Sequence, residues 1–155
     1  MAVQLAKAKG AFVIGTASGR NEEFVRSLGA DEFVDYTGQP FEEVVKNVDV
    51  VFDTVGSDTL ERAFQTLKPG GFLVSVAGNP SETPSEEKVR EFGVEAAWSF
   101  SKPNPQELAE ITKLVDEGQV KAHVSTVLPL AEVKKAHQLS QSGRTRGKIV
   151  LQVAA

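Results

Sequence analysis

The sequence predicts an α/β domain built on a doubly wound parallel sheet, and three observations carry that prediction. Short apolar runs rich in Val and Phe alternate with amphipathic stretches along all 155 residues. The runs are near-continuous rather than alternating, as in strands covered on both faces. Glycines stop several amphipathic stretches, at Gly10, Gly29 and Gly118, where a helix end favours a residue without a Cβ. Strands alternating with helices pair in parallel, with right-handed crossovers.

Ala2 to Lys9 reads as a helix, with Val3, Ala6 and Lys7 at helical spacing. Ala11 to Thr16 is a buried strand. Asn21 to Leu28 is a helix with Phe24, Val25 and Leu28 on one face, and Glu32 to Tyr36 a second strand. Phe41 to Lys46 is a short helix, turning Phe41, Val44 and Val45 inward, and Asp49 to Asp53 a third strand. Thr59 to Leu67 carries Leu60, Ala63, Phe64 and Leu67 on one helical face. Pro69-Gly70-Gly71 is expected to break it and turn the chain into a fourth strand, Phe72 to Val76. Residues 79–88 read as a loop with a short helix, and Val94 to Phe100 as a fifth strand. Gln106 to Glu117 is a helix with Leu108, Ile111, Leu114 and Val115 together. A strand at Val124 to Leu128, a helix at Leu130 to Gln141 and a strand at Lys148 to Val153 complete the chain.

Composition narrows the function. Seventeen Lys and Arg against 21 Asp and Glu leave a net charge of −4, so no basic patch is offered to nucleic acid or an anionic membrane. The absence of Cys removes disulfides, thiolate nucleophiles and Cys-type zinc sites. No apolar run reaches membrane-spanning length, and the N-terminus lacks a signal peptide's pattern. The expectation is a cytoplasmic protein. A hydrolase is disfavoured, since no G-x-S-x-G turn is present. His123 heads a strand and is expected to face solvent; His137 shares a helix with Ala136 and Leu139 and reads as structural. Neither stands at a metal-ligand spacing.

In an open α/β sheet, ligands sit beyond the carboxyl ends of the strands. The first such end carries Ser18, Arg20 and Asn21, donors suited to an adenosine-ribose 2′-phosphate. A plain ribose diol calls for Asp or Glu at that tip, and none precedes Glu22 in this segment, so the tip leans toward NADP over NAD. The alternative is a solvated turn in which Ser18 or Asn21 caps the next helix. Tyr36 follows the second strand, Val55-Gly56 the third, Ala77-Gly78 the fourth and Ser101 the fifth. Gly56 and Gly78 permit a ligand to approach the backbone closely. A G-x-G-x-x-G phosphate loop is not found in the chain.

Ala2-Val-Gln-Leu-Ala-Lys-Ala-Lys-Gly10 resembles the helix that follows the glycine loop of medium-chain dehydrogenase/reductases. Ser27-Leu-Gly-Ala-Asp31, Val51-Phe-Asp-Thr-Val-Gly56, Leu67-Lys-Pro-Gly-Gly-Phe72 and Ser142-Gly-Arg-Thr-Arg-Gly-Lys-Ile-Val-Leu151 resemble further family motifs, in family order. The nearest resemblance is to the zinc-independent, zeta-crystallin-like quinone oxidoreductases and their enoyl reductase relatives. It implies a Rossmann-like fold lacking its first strand and glycine loop. Residues 2–102 would be an incomplete nucleotide-binding domain, and 103–155 the segment that joins the catalytic domain in the family. The chain then corresponds to the C-terminal half of a family member.

The resemblance assigns Ser18 and Arg20 to the 2′-phosphate clamp and Tyr36 to the adenosine end. Val55, Gly56, Ala77 and Gly78 fall on the nicotinamide-ribose side, with Ser101, Arg144, Arg146 and Lys148 as less fixed candidates. No residue is an evident catalytic proton donor. The implied partners are the dinucleotide, a small substrate only in company with the missing catalytic half, and a homodimer mate at the Val94–Phe100 edge. Without a pyrophosphate cradle, which supplies several bonds of roughly 1.5–3 kcal/mol each, NADP binding is expected to be weak or absent. Two other readings stay open: a non-catalytic oligomerisation module and, more remotely, a class I methyltransferase. The family strand order 3-2-1-4-5-6 puts the missing strand mid-sheet. The gap is therefore expected to close by direct pairing of 11–16 with 49–53, by strand exchange, or by capture of Lys148 to Val153.

Overall fold

The computed structural model describes residues 1–78 and 85–154. In chain order it contains α1 (Ala2–Ala8), β1 (Ile14–Ala17), α2 (Glu22–Ser27), β2 (Glu32–Asp35), α3 (Phe41–Val44), β3 (Val48–Asp53) and α4 (Ser57–Ala63). There follow β4 (Leu67–Ser75), α5 (Glu86–Phe92), β5 (Glu95–Trp98), α6 (Pro105–Asp116), β6 (Val124–Pro129), α7 (Val133–Gln141) and β7 (Lys148–Gln152). Short 3₁₀ turns precede α2 and α7 and follow α4. Of the loop anticipated at residues 79–88, positions 79–84 lie outside the described residues.

Every ladder is parallel: β1 with β2, β3 with β4, β4 with β5, and β6 with β7. The strands form three separate pieces, β1-β2, β3-β4-β5 and β6-β7. Among the described residues β1 does not pair with β3, and β7 pairs with β6 instead of entering the gap. The two closures within one chain therefore do not form. Beside the gap, Phe12 is 67% exposed, Val50 59% and Phe52 49%. Register places Val50 beside Phe72 and Phe52 beside Val74, so one face of β3 and β4 is partly bare. Coverage of this sheet is one-sided, where the apolar runs predict two covered faces.

The other face carries the core. Leu73 from β4 meets Leu60, Ala63 and Phe64 from α4 and the turn after it, with Val34, Phe41, Val45, Leu67 and Val94 in the same buried cluster. Phe64 and Leu73 are fully buried, and the Phe64 and Phe92 rings lie 5.8 Å apart. Residues 68–71 do not turn the chain away; they run inside β4. The ladder to β3 shifts register between its Val48–Leu67 and Val50–Phe72 pairs. Gly70, at φ +75°, donates its N–H to the Gly93 carbonyl, so the glycines make a bulge in a strand.

Lys7 on α1 is held by Asp31, which follows α2. Its ammonium lies 2.7 Å from one carboxylate oxygen, and that oxygen also accepts the Val13 N–H at 2.7 Å. Gly15 lets α2 close on β1: a Cβ there would stand 2.5 Å from Val25 Cγ1. The β6-α7-β7 unit meets α2 through His123, whose ring centroid is 4.7 Å from that of Phe24.

Candidate functional site

The carboxyl ends of the strands carry a turn after β1 and further turns after β3 and β4. At the tip, Ser18 opens a 3₁₀ turn, yet neither Ser18 nor Asn21 caps a helix with its side chain. Asn21 Nδ2 donates instead to Ser18 Oγ at 3.1 Å, an acceptor role that leaves the serine O–H to donate elsewhere. The capping alternative is therefore not what the structure shows. Arg20 is exposed on the surface, and Tyr36 is 55% exposed.

Two groups reach this tip from elsewhere. Arg146 donates from its guanidinium to the Arg20 carbonyl at 2.9 Å, across 126 positions, and lies over the Phe24 ring at 5.7 Å. Asp35, at the end of β2, sits against Gly19, where a Cβ would collide with its carboxylate. Asp35 accepts from the Thr37 hydroxyl at 2.6 Å and the Thr37 N–H at 2.9 Å. Those two bonds, and the Gly19 amide, hold its carboxyl below the ordinary Asp range. The premise that the tip lacks an acid is thus corrected: the neighbouring strand delivers one. Ser18 and Arg20 thus share the tip with Arg146, which is bonded to the Arg20 carbonyl, and with a carboxylate against Gly19.

Asp53 ends β3 and is 5% exposed. It accepts the amides of Val55 at 3.1 Å and Gly56 at 3.0 Å, and the Ser75 hydroxyl at 2.7 Å. Ser75 Oγ accepts in turn from the Ala77 N–H at 3.3 Å. Trp98 Nε1 donates to the Ala77 carbonyl at 2.9 Å. Gly56 needs its glycine, with φ at +78°. Val55 is 69% exposed while Gly56 is buried, so the turn offers one side chain outward over a fixed backbone. Ala77 is half-buried and Gly78 exposed.

The remaining candidates do not converge. Ser101 is exposed beyond β5, and Lys148 opens β7, its amide bonded to the His123 carbonyl. Arg144 is exposed near the end of α7. His123 is exposed, as expected, with one side against Phe24, and His137 is exposed on α7. Among the described residues no three His, Asp or Glu side chains gather as a metal site, and no helix is long and apolar enough to cross a membrane.

The zinc-binding dehydrogenase family profile matches residues 28–151. The chain is 33% identical over 175 aligned positions to the mitochondrial NAD(P)H oxidoreductase RTN4IP1 of Danio rerio, covering 98% of this chain and 45% of that protein. Among solved structures it is similar to the quinone oxidoreductase of Coxiella burnetii, at 34% identity and TM-score 0.86, covering 99% of this chain and 48% of the other. It is likewise similar to an NAD-dependent alcohol dehydrogenase, at 31% identity and TM-score 0.86, covering 99% and 47%. The chain spans about half the length of the relatives it matches. The described residues hold no ligand set for the metal in the family's description. Motif order, parallel α/β architecture and family match agree: the chain belongs to the zinc-binding dehydrogenase family, within the medium-chain dehydrogenase/reductase superfamily.

Proposed function

We propose that this chain is the nucleotide-binding portion of an NADP-dependent oxidoreductase of the quinone, enone or alcohol type, and that it is inactive alone. Residues 2–102 bind the dinucleotide, and 103–155 dock against it while serving the junction to a catalytic domain. The carrying observation is that Ser18 and Arg20 follow directly on the carboxyl end of β1, where Asn21 bonds to the Ser18 hydroxyl and Arg146 reaches the Arg20 carbonyl. Guanidinium and hydroxyl donors on one turn suit a phosphomonoester, and Tyr36 lies at the end of the adjacent strand. Bound NADP would supply hydride transfer; the residues here bind and orient it. Asp35 tempers the preference, because a carboxylate also suits a ribose hydroxyl. The cytoplasmic location read from the sequence belongs to this proposal as well.

The test is a comparison of 2′,5′-ADP with 5′-ADP by NMR titration of the chain. The 2′-phosphate should strengthen binding and shift the Ser18, Arg20 and Tyr36 amides. Arg20→Ala should remove roughly tenfold or more of that preference, the worth of a charge-assisted bond. Equal affinity for the two nucleotides overturns the assignment. Calorimetry should detect no tight NADPH binding, and a micromolar or tighter constant for the isolated chain refutes the expected weakness. NADPH oxidation with quinones or enones should be absent.

A second reading, a non-catalytic oligomerisation module, is favoured by the exposed Val50 and Phe52 and by the outer edge of β5, unpaired among the described residues, beyond which Phe100 is 73% exposed and stacks on Trp98 at 5.9 Å. A clean dimer on a sizing column, with no nucleotide response, supports it over the first.

A further inference from the structure

Asp53, Ser75 and Trp98 are register partners on three adjacent strands: Asp53 lies beside Ser75, and Ser75 beside Trp98. They form the last rung of the sheet on its buried face. Asp53 and Ser75 are 5% and 1% exposed, and the functional reading above uses neither. A buried carboxylate is costly unless its oxygens receive donors. Here the donors are the amides of Val55 and Gly56 and the Ser75 hydroxyl. Ser75 spends its one proton on Asp53 and accepts the Ala77 amide on its oxygen. Both polar groups of Ala77 are then engaged, since its carbonyl receives Trp98 Nε1–H.

We propose that Asp53 and Ser75 form a positioning pair that locks the Val55-Gly56 and Ala77 turns into one unit. The proposal rests on the reading that these turns border the nicotinamide-ribose end of the ligand. Two features favour a shared lock over two independent turns. Directly after the free-turning Gly56, Ser57 is left-handed at φ +51°, a conformation that in a non-glycine residue persists only where the surroundings over-determine it. Moreover, one carboxylate oxygen, Oδ2, receives both the Gly56 amide and the Ser75 hydroxyl, so neither turn can shift without disturbing the other. The lock also sets polarity. The Val55, Gly56 and Ala77 amides point inward at side chains, so this pair of turns is no anion cradle. It offers a rim with the Val55 side chain outward, and Asp53 and Ser75 act on the ligand through that rim without touching it.

The test uses Ser75→Ala and Asp53→Asn in the full 155-residue chain, with amide exchange and two probes read by NMR. In the ligand-free protein, Ser75→Ala should speed exchange of both the Ala77 and Gly56 amides by about tenfold or more, the loss of a bond to a charged group. Exchange at Leu73, in the core, should not change. Nicotinamide mononucleotide should shift the Val55, Gly56 and Ala77 amides in the native chain and lose that effect in the variants. The response of Ser18, Arg20 and Tyr36 to 2′,5′-ADP should persist. If Ser75→Ala speeds Ala77 alone, the turns are independent and the pair is not a lock. If both probes weaken equally, the pair is merely structural. If nicotinamide mononucleotide leaves the native turns unmoved while 2′,5′-ADP binds, the pair has no ligand to position. Failure of 2′,5′-ADP alone strikes the 2′-phosphate assignment and leaves the lock standing on exchange and nicotinamide mononucleotide. Should Asp53→Asn not fold, Ser75→Ala decides alone.

Discussion

At the scale of single residues, the buried carboxylate and the salt-bridged one obey the same rule: each survives because donors surround it. Asp31 is the surface case. The Lys7 ammonium, followed by the Val13 amide, pulls its carboxyl below the usual Asp range. A group whose pKa is depressed on folding stabilises the fold above the ordinary Asp value, and that contribution fades as pH falls through the folded value. Asp31→Asn should therefore lower the urea midpoint at neutral pH and flatten its decline between about pH 5 and pH 2. An unchanged acid limb would show that the bridge is spectator. Phe64, fully buried among Leu60, Leu73 and Phe92, is the packing counterpart. Phe64→Ala should cost about 3–5 kcal/mol in denaturant unfolding, because transfer and cavity terms add.

Elements show where the sequence speaks and where it is silent. Among the described residues the helices and strands of the alternating pattern are present, because periodicity and glycine stops are local signals, though the helix read as Thr59 to Leu67 ends at Ala63 and Leu67 opens β4. The segment Lys68-Pro69-Gly70-Gly71 misleads because proline and glycines usually punctuate. Here Gly70 bonds to Gly93 across the sheet and the ladder absorbs the extra residues. That partner is 23 positions away and invisible to a local reading. The site divides in the same manner. Ser18, Arg20 and Tyr36 were legible as residues after strands. Asp35 behind Gly19, Arg146 on Arg20, and the Asp53–Ser75–Trp98 rung all depend on register or on crossing the chain. An Asp ending a strand four residues before the next helix, with a serine ending the following strand, was the available hint. Gly15 gives an element-scale prediction. With Val25 Cγ1 only 2.5 Å from the Cβ position, and valine unable to swing far, Gly15→Ala should destabilise by about 1–3 kcal/mol, measured as a shift in urea midpoint with an unchanged slope.

For the whole molecule, the distinctive fact is a sheet in three pieces. Unpaired strand edges beside exposed apolar side chains invite association. Val50→Lys should thus reduce light scattering at high concentration while leaving the unfolding free energy within about 0.5 kcal/mol of the parent, as expected of a surface site. A large loss of stability would mean that Val50 packs more than its exposure indicates. The β1-β2 and β3-β4-β5 pieces nevertheless share one core, since Val34 from β2 and Leu73 from β4 belong to the same buried cluster. Among the described residues no backbone ladder crosses between them. What joins them is therefore greasy contact, which has no preferred direction and loosens in the cold. Cooling should make this joint yield first: β1-β2 would drift from β3-β4-β5 as intact ribbons, each keeping its own hydrogen bonds, before any strand frayed.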